Sequence, residues 1–300
     1  MRRLPTIAMV GALALAVVAC GRLNEDGTGG GSGTTGGTGG SGSTGAEPIE
    51  HPTGADEVVL RWEYRDGFVP YEYLLKRLPS WTLTGDGRVI VEGPMIEIYP
   101  SPALPNVQVR QVSEDGVQAI LRAAQDAGLM DGDASYDYRC ITDAPTTVFT
   151  TTAGGSTSVV SAYALGDAAG GNCPDVDVDA RWTLAAFRDR LGDLSWLPEG
   201  SVGEEEPYVA DAVRIYVMPY QGQPDLPQEP VAWPLEEPLD RFGKPVEGGL
   251  EDTRCGVVSG SDLETLAPLM QGANDLTPWT SDGQEYRLIL RPLLPDEHGC

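Results

Sequence analysis

The sequence predicts an α+β protein of two small domains, each an antiparallel sheet with one or two helices packed on one face. Three observations predict it. Short β-type runs are joined by tight glycine turns, a few amphipathic segments carry helical spacing, and an acidic stretch between prolines divides the pattern in two.

The chain opens on a leader. Arg2 and Arg3 precede an apolar stretch from Ile7 to Ala19 that ends in Val17-Val18-Ala19-Cys20. Spanning a roughly 30 Å hydrocarbon core takes about 20 residues, so this stretch is too short for a transmembrane helix. It reads as a lipoprotein signal peptide, residues 1–19, cut before Cys20, whose sulfur and new amino group are then acylated. Several acyl chains, at about 0.8 kcal/mol per buried methylene, hold a protein to a membrane almost permanently. The expected location is therefore the extracytoplasmic face of a cell membrane, with the membrane as a partner through lipid on Cys20. Residues 20–46, dominated by glycine, serine and threonine, read as a flexible tether with a relaxed reach of about 30 Å.

Domain 1 is expected over 47–198. Val58 to Tyr64 reads as a strand broken at Gly67, and Trp81 to Val91 as a hairpin turning at Asp86-Gly87. A stretch with Pro94, Pro100, Pro102 and Pro105 leads to a helix capped by Ser113. That helix carries Val117, Ile120, Leu121 and Ala124 on one stripe and stops at Gly128. Thr146 to Thr152 and Thr157 to Tyr163 form a second hairpin around Gly154-Gly155, and Ala180, Leu184, Phe187 and Leu191 mark a second helix.

Residues 199–207, with the run Glu204-Glu205-Glu206, read as an acidic linker. Domain 2, 208–300, follows: a strand from Ala212 to Met218, a long proline-rich stretch, a helix near Asp262 to Gln271 with a capping-box spacing at Ser261 and Glu264, and a strand from Tyr286 to Leu290. The helix stripes of the two halves coincide at Val117 with Leu263, Ile120 with Leu266, Leu121 with Ala267 and Ala124 with Met270. This is the spacing a duplicated unit would show, and also one that any two amphipathic helices share.

Composition narrows the function classes. With 45 acidic residues against 20 basic ones and a net charge of −25, the chain lacks the basic footprint that phosphate backbones require, so nucleic acid is excluded as a partner. The four cysteines after Cys20, namely Cys140, Cys173, Cys255 and Cys300, are expected to form two disulfides in an oxidising compartment. Of three pairings, Cys140 with Cys173 and Cys255 with Cys300 keeps each bridge within one half. Zinc is disfavoured, because the two histidines are His51 and His298 and no close-spaced cysteine pair exists. No metal or other cofactor is expected.

No catalytic residue is assigned. Gly256 stands three residues before Ser259, not two, so the nucleophile-elbow pattern fails. Asp131, Asp133, Ser135 and Asp137 alternate like calcium ligands, but Tyr136 occupies the place of the required glycine and Thr142 that of the bidentate glutamate. Asp175, Asp177 and Asp179 suit a helix N-terminus. The candidate partner-binding residues are aromatic side chains on proline-rich loops: Tyr99, Tyr220, Trp233 and Phe242. Stiff loops lose little entropy on binding and such residues anchor interfaces, while the plainer reading makes Trp233 and its neighbours a lid over the sheet.

Several features together resemble the emfourin-type protease-inhibitor domains of bacteria: a strand end at Tyr64 to Phe68 with its glycine, a Ser-capped helix ending Ala127-Gly128-Leu129, and a Thr-rich hairpin 146–163 followed by a short helix. The resemblance covers Val58 to Leu194 and lies in order and layout. The two disulfides and the insert from Trp81 to Pro105 depart from it, and it carries over no inhibitory residue. In overall form the chain is similar to lipoproteins of high-GC bacteria that have no assigned activity. The expected function is a membrane-anchored module that binds a protein or peptide. A hydrolase using paired carboxylates and a structural envelope component are the alternatives.

Overall fold

β-Branched and aromatic runs assemble two sheets in the computed structural model, which describes residues 47–167, 173–248 and 252–300. The signal peptide, Cys20 and the tether lie outside the described residues. Glu47 to Cys300 form one compact unit containing both sheets, so the fold is α+β with two sheets and four α-helices described.

The first sheet uses β1 (Val58–Arg65), β2 (Trp81–Thr84), β3 (Arg88–Glu92), β4 (Val107–Val112), β5 (Ala134–Tyr136), β6 (Thr146–Ala153), β7 (Ser156–Tyr163) and β8 (Val202–Pro207), in the order β5-β7-β6-β1-β2-β3-β4-β8. All neighbours are antiparallel except β5 and β7. Helix α1 (Tyr71–Lys76) lies between β1 and β2, α2 (Glu114–Asp126) follows β4, and α3 (Val178–Gly192) precedes β8. Ser113 caps α2 by accepting from the Gly116 amide, and Val117, Ile120, Leu121 and Ala124 are buried as their spacing requires. At the β2–β3 turn Gly87 has φ +82°, and a Cβ there would collide with the Val112 carbonyl oxygen, so glycine is required on both counts.

The acidic stretch is structured. Glu205 sits opposite Arg110 in the β4–β8 register, with their side chains paired at 2.7 Å. An edge strand tolerates charge because its outer side is solvated, so a run that reads as a linker pairs as a strand once a cation faces it.

The second sheet uses β9 (Ala212–Pro219), β10 (Val231–Ala232), β11 (Lys244–Pro245), β12 (Arg254–Ser259), β13 (Pro278–Ser281) and β14 (Gln284–Pro292), in the order β10-β13-β14-β9-β12-β11. Helix α4 (Gly260–Gly272) leaves β12 through Gly260 at φ +56°. The turn starts the helix early, so Ser261 falls inside its first turn and the expected capping box gives way to Ser259 at the cap position. The shared stripe of α2 and α4 is not matched by a shared strand order. β12, which leads into α4, lies directly beside β9, whereas β4, which leads into α2, lies three strands from β1.

Helices α2 and α3 close the larger core around Leu60, Trp81, Phe149 and Ile120. In the second core Trp233 meets Phe242 and Trp279 edge to face, with centroids 5.5 and 6.2 Å apart. Disulfides join Cys140 to Cys173 and Cys255 to Cys300, the pairing that keeps each bridge local. Among the described residues no helix is long and apolar enough to cross a membrane.

Candidate functional site

The two faces of β9 have different fates. Val213, Ile215 and Val217 point into the core under α4, while Tyr216 and Met218 join Cys255, Ile289 and Leu75 on the opposite face. That second face is covered by α1, which starts straight after Pro70 and has six residues, about 9 Å of helix. So short a cover leaves the end of the face open. There Arg287 pairs in register with Met218, and Thr253 precedes Arg254, which pairs with Val217, so Thr253, Met218 and Arg287 form one row across three strands.

Three connections close around this row. The β3–β4 loop reaches the β9–β10 loop through the Tyr99 hydroxyl, 3.3 Å from Gln223 Oε1. It reaches the segment after α4 through a Pro102–Asn274 bridge and an Asp275 amide donating to the Ser101 carbonyl at 2.9 Å. Asn274 donates to Gln228 at 2.7 Å, and Lys76 of α1 pairs with Asp275 at 3.1 Å. The result is a cleft of about 300 Å³ lined by Glu72, Met218, Tyr220, Thr253, Leu276 and Arg287, among others. Beside it, one loop exposes Met95, Ile96, Ile98 and Tyr99, the last 66% accessible.

The polar groups in the cleft are poorly matched to each other. Arg287 Nη1 lies 3.5 Å from Glu72 Oε1, longer than the 2.7–2.9 Å of a charge-assisted hydrogen bond. Arg287 Nε and the Thr253 hydroxyl are buried, Thr253 being 2% exposed, and lack a partner among the described residues. Such groups can donate to a ligand, and the row of three strands fixes their spacing.

Of the four aromatic candidates, Tyr220 lines this cleft and Tyr99 stands beside it, bonded to the lining residue Gln223. Trp233 and Phe242 do neither: they are 9% and 5% exposed and belong to the core, where their proline-rich segment folds over the sheet as a lid. Glu72, Thr253 and Arg287 escape a sequence reading because they come from three distant segments without a local motif. The other polar patterns have structural uses. Asp133 accepts from the Val159 amide at 2.8 Å, Asp177 caps α3 through the Ala180 amide, and His51 contacts the Pro52 carbonyl and Glu114. Among the described residues no three His, Cys, Asp or Glu side chains gather as a metal site. No protein-family model, curated protein or solved structure matches the chain.

Proposed function

We propose that this protein is a lipid-anchored, extracytoplasmic binding module whose protein or peptide partner docks on the loop cluster around Tyr99. The observation that carries the reading is the solvated run Met95, Ile96, Ile98 and Tyr99, on a loop stiffened by prolines and tied to two neighbouring loops. Exposed apolar side chains in sequence do nothing for the fold, and a preorganised loop loses little entropy when it is covered. The membrane address rests on the Val17-Val18-Ala19-Cys20 signal.

Two substitutions test the two halves of the reading. Cys20→Ser is expected to move the protein from the membrane fraction to the soluble fraction, and retention in the membrane would remove the anchor from the account. Peptides selected from a displayed library on the wild-type protein are expected to lose about tenfold or more in affinity on Ile98→Ser with Tyr99→Ser, with the unfolding midpoint unchanged because both residues are exposed. Undiminished affinity would place the partner elsewhere.

A further inference from the structure

We propose that the cleft beneath the loop cluster binds a small zwitterion of the α-amino acid class, its carboxylate on Arg287 and its ammonium on Glu72. The inference goes beyond the partner surface and does not depend on it. Four observations support it.

The first is charge. The cleft carries one guanidinium and one carboxylate 3.5 Å apart. The two charges offset each other, so the pair offers no net attraction to a lone anion or a lone cation, whereas a zwitterion can exchange one long ion pair for two short ones. Because it is neutral overall, it is also indifferent to the net charge of −25 that would repel a free anion. The second is spacing. Opposite charges held 3.5 Å apart suit groups carried on a single carbon, as they are in an α-amino acid.

The third is unspent hydrogen bonding. Seven buried side-chain polar atoms lack partners among the described residues, and of these Thr253 Oγ1 and Arg287 Nε belong to residues that line this cleft. Leaving such a group unmatched is costly, and a ligand oxygen reaching the Thr253 hydroxyl would recover that cost. The Arg287 side chain has only the long 3.5 Å ion pair of Nη1 with Glu72, so its guanidinium can turn to a carboxylate, which it receives with two parallel bonds. The fourth is shape. About 300 Å³ is the lower end of small-ligand cavities, and Met218, Pro219 and Leu276 supply an apolar wall for an aliphatic side chain.

Isothermal titration of the purified wild-type chain with L-leucine and the other protein α-amino acids, with N-acetyl-L-leucine and with L-leucinamide, tests this without any variant. At least one free amino acid is expected to bind, and blocking either its amine or its carboxylate is expected to weaken binding about tenfold or more. Glu72→Gln should erase the preference for the free over the acetylated form, and Arg287→Gln the preference for the free form over the amide. Thr253→Val should weaken binding several-fold while the unfolding midpoint holds or rises, since it removes an unmatched buried hydroxyl. The combined Met95→Ser and Ile96→Ser variant, which keeps the Tyr99 tie to Gln223, should bind the amino acid normally, which separates this site from the partner surface. The proposal is overturned if no α-amino acid binds by about 10 mM, or if the blocked forms bind as tightly as the free one.

Discussion

Replacing Arg181 with methionine is expected to cost about 4 kcal/mol of folding stability. The Arg181 side chain is fully buried on α3, and its guanidinium donates to the carbonyls of Tyr136 at 3.1 Å, Tyr163 at 2.8 Å and Ala164 at 2.8 Å, while lying 4.9 Å over the Tyr138 ring. It therefore ties α3 to the end of β5 and to the turn that leaves β7, where Ala164 holds φ +52°. Burial lowers its pKa below the usual arginine value, opposed by Tyr138. Hydrogen bonds to a charged group contribute about 1.5–3 kcal/mol each, and truncation also strands the buried Ala164 carbonyl and two part-buried ones. Methionine keeps much of the volume, so the loss measures the polar contacts and not a cavity. Arg181→Lys should recover little of it, because a single ammonium cannot span three carbonyls on two strand ends. Denaturant unfolding reads the difference, and a loss below about 1 kcal/mol would mean that the guanidinium is incidental.

Replacing Cys255 and Cys300 together by serine is expected to cost a similar amount. The bridge closes 45 residues of sequence, for which the chain-entropy model gives about 4 kcal/mol. The native side has its own reason for the effect, since Cys300 ends a tail held at several points. Asp296 receives two bonds from Arg61 of β1 at 2.6 and 2.9 Å, Glu297 receives two from Arg291 at 2.6 and 2.8 Å, and Arg214 donates to the Gly299 carbonyl at 2.7 Å. The tail thus joins the second sheet to the first through Arg61. Non-reduced unfolding of the double serine variant should show the loss in full, and an unchanged midpoint would show that these ion pairs suffice without the bridge.

The same region predicts a response to alkali. The Tyr208 hydroxyl donates to the Leu293 carbonyl at 2.9 Å, and burial, its main cause, pushes its pKa up from 10.0 to about 12. Below pH 10 both folded and unfolded chains keep the proton, so the contribution is fully present. Above it the unfolded chain releases the proton first, so stability falls as pH rises from 10 towards about 12.

What the sequence discloses divides along a physical line. Helix α2 is legible because its cap, its stripe and its terminal glycine all lie within sixteen residues of Ser113. The disulfide pairing is legible because each bridge is local in sequence. Strand β8 is not, because three consecutive glutamates imply solvation, and nothing local shows that Arg110 will face them. Helix α1 is not, because six residues are too few to establish a period, and its buried residue, Leu75, packs on the distant second sheet. Arg181 is hidden for the opposite reason: a charge beside the stripe of Leu184, Phe187 and Leu191 reads as solvent-facing, and its three acceptors become visible only when β5 and β7 end beside it.

The candidate site follows the same rule. Tyr99 and Tyr220 are legible as aromatic residues among prolines. Trp233 and Phe242 carry the same signal but turn inward, because the sheet beneath them has an apolar face to cover and they are the large side chains nearest to it. The row of Thr253, Met218 and Arg287 depends on strand order and register, which no local pattern encodes.

The account centres on the loop that carries Ile96, Ile98 and Tyr99, and site-specific photo-crosslinking in the producing cell tests it most directly. A photoreactive residue at Ile96 or Ile98 is predicted to give a discrete adduct that Tyr99→Ser abolishes, while the same residue at exposed Trp182 on α3 gives none. Adducts at Trp182 equal to those at Ile96 and Ile98, or no adduct at either loop position, would contradict it.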